Sequence, residues 1–225
     1  MKTIIITGAS RGIGLATTKK FIAENWKVIG TYLKNPISIK SPNLVSIQFD
    51  QSSPESIEQA VNKIKKMDVN IDALINNAGI ILDAHEDVAD IQKIQKTFDV
   101  NIFGLINLTE KLLPIMAKGG HIVNLDSNYG SFSFPIDDES STGYRLTKAA
   151  LNMYTRTLAF RLKDKEMIVS SLDPGWVKTD MGNDVASETE RPDREPEQPA
   201  EDIYNLVNTI NETGYFWKFG KKRDW

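Results

Sequence analysis

The sequence predicts an α/β fold in which helices cover both faces of a parallel sheet. Three observations carry this. Short β-branched and aliphatic runs alternate with longer stretches of helical period. A glycine string joins the first such run to the first helical stretch. No composition break or internal repeat divides the 225 residues, so residues 1–225 read as one domain.

The elements follow in order. Residues 3–7 are β-branched throughout and read as a buried strand. Residues 12–24 place Ile13, Ala16, Phe21 and Ile22 on one helical face. Residues 27–31 and 44–49 are the second and third strands. Ser53-Pro54-Glu55 opens a helix, with Ser53 as N-cap, Pro54 in the first turn, and Ile57, Val61 and Ile64 facing the core. Residues 71–75 form the fourth strand. Residues 91–116 are a long helical stretch that Pro114 kinks or closes. A fifth strand at 121–125, a long helix at 143–162 and a sixth strand at 167–172 complete the alternation.

Composition narrows the chemistry. A net charge of −3 provides no field to gather nucleic acid or a membrane surface. No apolar run reaches membrane-spanning length, and the isoleucine run at the N-terminus is too short for a signal-peptide core. The expectation is a cytoplasmic protein. Without cysteine there is no disulfide, thiol nucleophile or sulfur–zinc site. His85 and His121 are the only histidines, too few for a histidine-rich metal cluster, and no metal is expected. The chemistry falls to hydroxyls, amines, amides, carboxylates or a borrowed cofactor.

Thr7-Gly8-Ala9-Ser10-Arg11-Gly12-Ile13-Gly14 lies between the first strand and the first helix. With 14 glycines in the chain, a G-x-x-x-G-x-G string arises by chance about 0.05 times. Gly8 allows a sharp turn. Gly12 and Gly14 let backbone amides approach a pyrophosphate at the helix N-terminus. The spacing differs from the G-x-G-x-x-G of longer dehydrogenases.

That loop resembles the one in the short-chain dehydrogenase/reductase family, and further residues agree in order and approximate spacing. Asn76-Asn77-Ala78-Gly79 resembles the family's NNAG after strand four. Asn101 in FDVNIFG is similar to its helix asparagine, and Ser127 to its catalytic serine. Tyr144 and Lys148 resemble its Y-x-x-x-K. Pro174, Gly175, Val177 and Thr179 in DPGWVKTD resemble its nicotinamide-side loop. Alone, Y-x-x-x-K is expected about 0.5 times by chance from 6 tyrosines, so the joint order carries the inference. The resemblance implies a single doubly wound Rossmann-type domain with a parallel sheet of about seven strands.

It also implies roles. Tyr144 and Lys148, four apart, share a helix face. A lysine ammonium and an oxidised nicotinamide would lower the phenol from its ordinary value near 10. Tyr144 would then exchange a proton with the carbonyl oxygen while hydride moves at carbon. Ser127 would hold that oxygen, Lys148 the nicotinamide ribose, and Asn101 a relay water. For the dinucleotide, the implied contacts are Gly8, Ser10, Arg11, Gly12, Ile13, Gly14, Asp50, Gln51, Asn77, Ala78 and Gly79, with Asp50 and Gln51 beside the adenine. NAD-selective sheets place an acid at the end of strand two, where this chain has Tyr32. Arg11 and Lys34 are cations suited to a 2′-phosphate. The reading is NADP(H), with NAD(H) as the alternative.

Some features depart from the family's pattern. Asp126 stands where the family often has a second serine, and the loop of 131–141 lengthens the gap to Tyr144. This loop, DPGWVKTDMG and a tail with a final strand near 215–217 resemble the C-factor-like and carbonyl-reductase-like members. Residues 184–202 hold eight acids, two arginines and three prolines, a local charge of −6. They read as part of a mobile substrate flap over about 180–202, or as a solvated surface loop. Phe132, Phe134, Trp176 and Met181 are expected at the same mouth, favouring a small apolar carbonyl compound. The function expected is NADP(H)-dependent interconversion of carbonyl and alcohol on a small molecule, in a homodimer or homotetramer. The alternatives are a dinucleotide-binding regulatory protein with little turnover and a β-ketoacyl-carrier-protein reductase.

Overall fold

In the computed structural model, which describes every residue except Asp137 and Glu188, the isoleucines of β1 (Thr3–Ile6) point alternately to opposite faces. Ile5 joins the core on one side of the sheet, and Ile4 and Ile6 the core on the other. This strand is central. It pairs in parallel with β2 (Lys27–Tyr32) and with β4 (Ile71–Asn76). Beyond β2 lies β3 (Leu44–Gln48), and beyond β4 lie β5 (Met116–Leu125), β6 (Ile168–Asp173) and β7 (Tyr215–Lys218). The order β3-β2-β1-β4-β5-β6-β7-β8 holds the seven parallel strands expected and one strand more. The eighth, β8 (Lys221–Arg223), is an antiparallel edge paired only to β7. The chain reverses direction of travel at β1, so a crevice opens at the carboxyl ends of β1 and β4, where such sheets take ligands.

Helices α2 (Pro54–Lys65), α4 (Leu105–Leu112) and α5 (Thr142–Leu162) bury Ile57, Val61, Leu108, Leu112 and Leu158 against one face. On the other face lies α1 (Gly12–Ala23), which inserts Phe21 edge-on against Trp26. Ser53 does cap α2, accepting from the Ser56 N–H at 3.2 Å.

Two expectations change. The stretch 91–116 is not one helix. It comprises α3 (Ile91–Phe98), a π-turn (Asp99–Gly104), α4 and a 3₁₀ turn (Leu113–Ile115), and Met116 already belongs to β5. Pro114 sits in the 3₁₀ turn, where its missing N–H ends the helix. The acidic stretch also divides. Its start overlaps α6 (Asp180–Asp184), Val177 bridges Arg194, and residues 197–202 open α7 (Glu197–Thr209). Acids and prolines hide this helix in the sequence, although Ala200, Ile203 and Leu206 are buried on it and Pro199 falls in its first turn. Asp137 and Glu188, within the two loops singled out above, lie outside the described residues. Among the described residues no helix is long and apolar enough to cross a membrane.

Candidate active site

The glycine turn leaves β1 through Gly8, whose φ of 67° favours glycine. A Cβ on Gly14 would lie 2.2 Å from the Gly8 carbonyl oxygen and 2.6 Å from Asn77 Nδ2, so only glycine fits this approach. The amides of Asn77 and Ala78 donate to Thr7 Oγ1 at 3.0 and 2.9 Å, and Asn77 Nδ2 donates to the Thr7 carbonyl at 2.7 Å. The Asn-Ala-Gly turn after β4 thereby clips the glycine turn in place. Helix α1 opens with no side-chain cap and no acid in its first turn, which leaves its first amides to an anion.

A cavity of about 520 Å³ runs over this turn. Gly8, Ser10, Arg11, Gly12, Ile13, Asp50, Gln51, Asn77, Ala78, Gly79 and Thr179 all line it. Gln51 donates from Nε2 to the Val100 carbonyl at 2.9 Å, and its Oε1 is buried with no partner. Asp50 Oδ1 accepts from the Ser52 N–H and hydroxyl at 2.8 and 2.7 Å. These groups suit a dinucleotide: a cradle of glycines, open helix amides and polar groups at the far end. Gly14 lies behind the lining as a spacer. Lys34 is exposed and outside the lining, while Tyr32 is within it. Arg11 forms an ion pair with Asp180 of α6.

A second cavity, about 800 Å³, adjoins the first and shares Ile13, Thr179 and Met181 with it. Ser127, Tyr144, Pro174, Gly175 and Val177 line it, as do Trp176 and Met181. Phe132 is 93% exposed, and neither it nor Phe134 lines this cavity. Their loop instead holds the chain end, since Ser133 N–H donates to the Trp225 carbonyl at 3.2 Å.

Tyr144 and Lys148 project from the first two turns of α5. Lys148 is buried, and its Nζ donates to the Leu125 carbonyl at 2.7 Å and lies 5.3 Å from the Tyr144 ring centre. Burial pushes the Lys148 ammonium down, opposed by Asp126 and Asp173. The resemblance implies a phenol lowered by the lysine together with an oxidised nicotinamide; without nucleotide, burial pushes Tyr144 up, and the charges of Asp126 and Asp173 add to this. The phenol form is therefore the resting state. Ser127 lies at the end of β5, its hydroxyl accepting from the Tyr129 N–H at 3.2 Å and donating to Asn128 Oδ1 at 3.2 Å. Asn101 sits in the π-turn and reaches back to Ile80, accepting from its N–H and donating to its carbonyl, both at 2.9 Å. It also donates to Thr147 Oγ1 at 3.2 Å, which ties the turn to α5.

Sequence reasoning missed three participants. Thr7 is the clip for the glycine turn. Lys218 of β7 pairs with Asp173 at 2.7 Å beneath the second cavity. His85 lines that cavity, its Nε2 2.6 Å from the Asp184 carbonyl oxygen. Thr7, immediately before Gly8, was the only one with a local signal, and the other two meet partners 45 and 99 residues away.

Comparison with known proteins agrees with this geometry. The family model described as short chain dehydrogenase matches residues 2–190. Serine 3-dehydrogenase of Rhizobium radiobacter is 32% identical over 221 residues, covering 92% of this chain and 87% of the relative. A probable NADP-dependent dehydrogenase of Haemophilus influenzae is 33% identical over 183 residues, 77% of this chain and 70% of that one. Among solved structures, the carbonyl reductase Sniffer of D. melanogaster superposes with a TM-score of 0.86 at 25% identity, over 100% of both chains.

Proposed function

The chain belongs to the short chain dehydrogenase family of oxidoreductases, and on that premise we propose that it uses NADP(H) to interconvert a small carbonyl compound and its alcohol. One observation carries the reading: Ser127 and Tyr144 face a cavity that meets the glycine-turn cavity at Ile13, Thr179 and Met181. When bound, the reduced nicotinamide supplies hydride. Tyr144, held as a phenol by burial, donates its proton to the carbonyl oxygen. Ser127 donates a hydrogen bond to the same oxygen and fixes the carbonyl. Lys148 is braced by the Leu125 carbonyl for the ribose, and Asn101 holds the π-turn against Ile80 and Thr147. Pro174, Gly175, Val177 and Thr179 form the wall on the nicotinamide side.

Preference for NADP(H) rests on Arg11 and on Tyr32 in place of an acid. A charge-assisted hydrogen bond contributes about 1.5–3 kcal/mol. A 2′-phosphate would share the Arg11 guanidinium with Asp180, so we expect the low end, about tenfold tighter binding of NADPH than NADH. Trp176, Met181 and Ile81 share the substrate cavity with Asp126, Lys218 and Arg191. This mixture brings β-hydroxy amino acids, the class in the name of the serine dehydrogenase relative, into scope beside aromatic ketones. The stretch 180–196, latched to the glycine turn through Asp180, is the substrate flap in this reading. On α5, Leu146, Met153 and Phe160 recur every seven residues and are exposed, Phe160 by 85%. This stripe supports association into a homo-oligomer.

The test is loss of NADPH absorbance with small ketones, aldehydes and β-keto acids, with calorimetric titration of NADPH and NADH. Turnover and about tenfold tighter NADPH are expected. Equal affinities overturn the cofactor choice. Tight NADPH binding without turnover on any carbonyl compound overturns the enzymatic reading in favour of a regulatory binder.

A further inference from the structure

Asp126 is a buried carboxyl group that the proposed reaction does not use. Its N–H donates to the Leu172 carbonyl at 2.8 Å, which carries the β5–β6 ladder one residue beyond the strand and holds the side chain inside, 3% exposed. Oδ1 accepts from the Ser127 N–H at 2.9 Å, and Oδ2 lies 2.8 Å from Ser171 Oγ. Ser171 Oγ is also 3.0 Å from Asn152 Oδ1, and Asn152 is oriented by its own donation to the Gly130 carbonyl at 3.1 Å. A hydroxyl has one proton. With Asp126 ionised, Ser171 satisfies the carboxylate or Asn152, not both. With Asp126 protonated, its O–H donates to Ser171, and the Ser171 proton is free for Asn152. With the carboxyl ionised, one of these two acceptors goes without the Ser171 proton; burial pushes Asp126 up to about 7, and the Lys148 charge and the hydrogen bonds from Ser171 and Ser127 hold it back.

The charged and titratable groups facing it come from every neighbouring element. Lys148 and Tyr144 come from α5 and Asp173 from the end of β6, with Lys218 of β7 as its partner, while Tyr129 in the turn after Ser127 packs its ring edge-on against Tyr144. With Asp126 ionised and Lys148 protonated, two ammonium groups balance two carboxylates. A tyrosinate at Tyr144 would be a third negative charge in a buried site, where like charges repel strongly.

We propose that Asp126 is a positioning residue for the acid–base step: as a carboxylate it holds Lys148 as the ammonium and Tyr144 as the phenol, biasing the site toward donating a proton and so toward carbonyl reduction. This rests on the role given to Tyr144 above. Neutralising Asp126 leaves one uncompensated positive charge, which favours tyrosinate and the reverse, alcohol-oxidising direction.

The readout is the ionisation of Tyr144, taken as the tyrosinate absorbance of the protein minus that of a Tyr144→Phe control, with saturating NADP⁺ and again without nucleotide. Asp126→Asn keeps the shape of the side chain. Asp126→Ser keeps an acceptor for the Ser127 N–H, and decides the matter if the first variant does not fold. Both should lower the onset of tyrosinate by one pH unit or more, equivalent to about a tenfold bias. With a ketone that the parent reduces and its alcohol, each assayed at saturation, the ratio of kcat for oxidation to kcat for reduction should rise about tenfold at fixed pH, the overall equilibrium being unchanged. An onset that stays put or rises in the folded variants overturns the proposal, and a fall in stability alone does not rescue it. A parent that neither binds NADP⁺ nor turns over would overturn the proposed function, while the nucleotide-free titration would still judge Asp126.

Discussion

At the β1–α1 end of the cleft, the cavity is lined mainly by backbone and neutral side chains, and its ion pair, Arg11 with Asp180, stands in solvent at 71 and 70% exposure. At the β5–β6 end, Asp126, Asp173, Lys148 and Lys218 are withdrawn from water around Ser127 and Tyr144. The first end suits an anion that brings its own charge and needs only amides, space and a helix terminus. The second suits proton transfer, because a charge in a low-dielectric site acts strongly on its neighbours. The same contrast predicts different failures. Damage at the nucleotide end should weaken binding, and damage at the catalytic end should stop chemistry or unbalance buried charge.

The largest expected effect is Tyr144→Phe. It removes only the hydroxyl, so turnover should fall by about 10²–10⁴ while calorimetry shows unchanged NADPH affinity. Retention of more than about a tenth of the rate would take the proton-donor role away from this end. Next is Lys218→Ala, which strands the Asp173 carboxylate. Breaking a buried pair costs about 3–5 kcal/mol. Lys218 is 18% exposed, and Asp173 keeps the N–H groups of Asn128 and Gly175 at 3.2 and 2.8 Å. A loss of about 3 kcal/mol in urea unfolding is therefore expected. The double variant Asp173→Asn with Lys218→Met should recover most of it, and a double variant no more stable than the single would mean that packing, not charge, holds the pair.

The smallest effect should come from Gly14→Ala, where the added methyl meets the Gly8 carbonyl oxygen at 2.2 Å. Overpacking of this kind costs about 1–3 kcal/mol, with weaker NADPH binding because the turn must shift. At saturating NADPH its turnover should approach that of the parent. If Gly14→Ala stopped turnover as fully as Tyr144→Phe, the two ends of the cleft would not be separable.

Legibility in the sequence follows the same division. Gly8, Gly12 and Gly14 answer to rules that act within a few residues, so the turn and its place between strand and helix were readable. The alternation of strands and helices was readable for the same reason, down to the Ser53 cap. Helix α7 was not, because eight acids and three prolines over residues 184–202 outweigh the spacing of Ala200, Ile203 and Leu206. Only contact with α1 and the sheet makes that face worth burying. The helical period of 91–116 was sound, but it carried no sign of the π-turn that lets Asn101 reach Ile80.

The site divides in the same way. Ser127, Tyr144 and Lys148 were placed by resemblance and by order along the chain, and the fold brings Ser127 and Tyr144 to one cavity with Lys148 behind them. The ionic state of that site was beyond the sequence. A lysine four residues after a tyrosine says nothing of the burial and the two carboxylates that, without nucleotide, push Tyr144 up. Asp173 finds Lys218 only across 45 residues of chain, and Asp126 finds Ser171 across the same span. The sequence by itself determined the order of strands and helices, the glycine turn and the chemical types at the site, because periodicity and turn preferences act over a few residues. Tertiary structure alone decided which charges are buried together and how they balance, because desolvation depends on everything packed around a group and not on its neighbours in the chain.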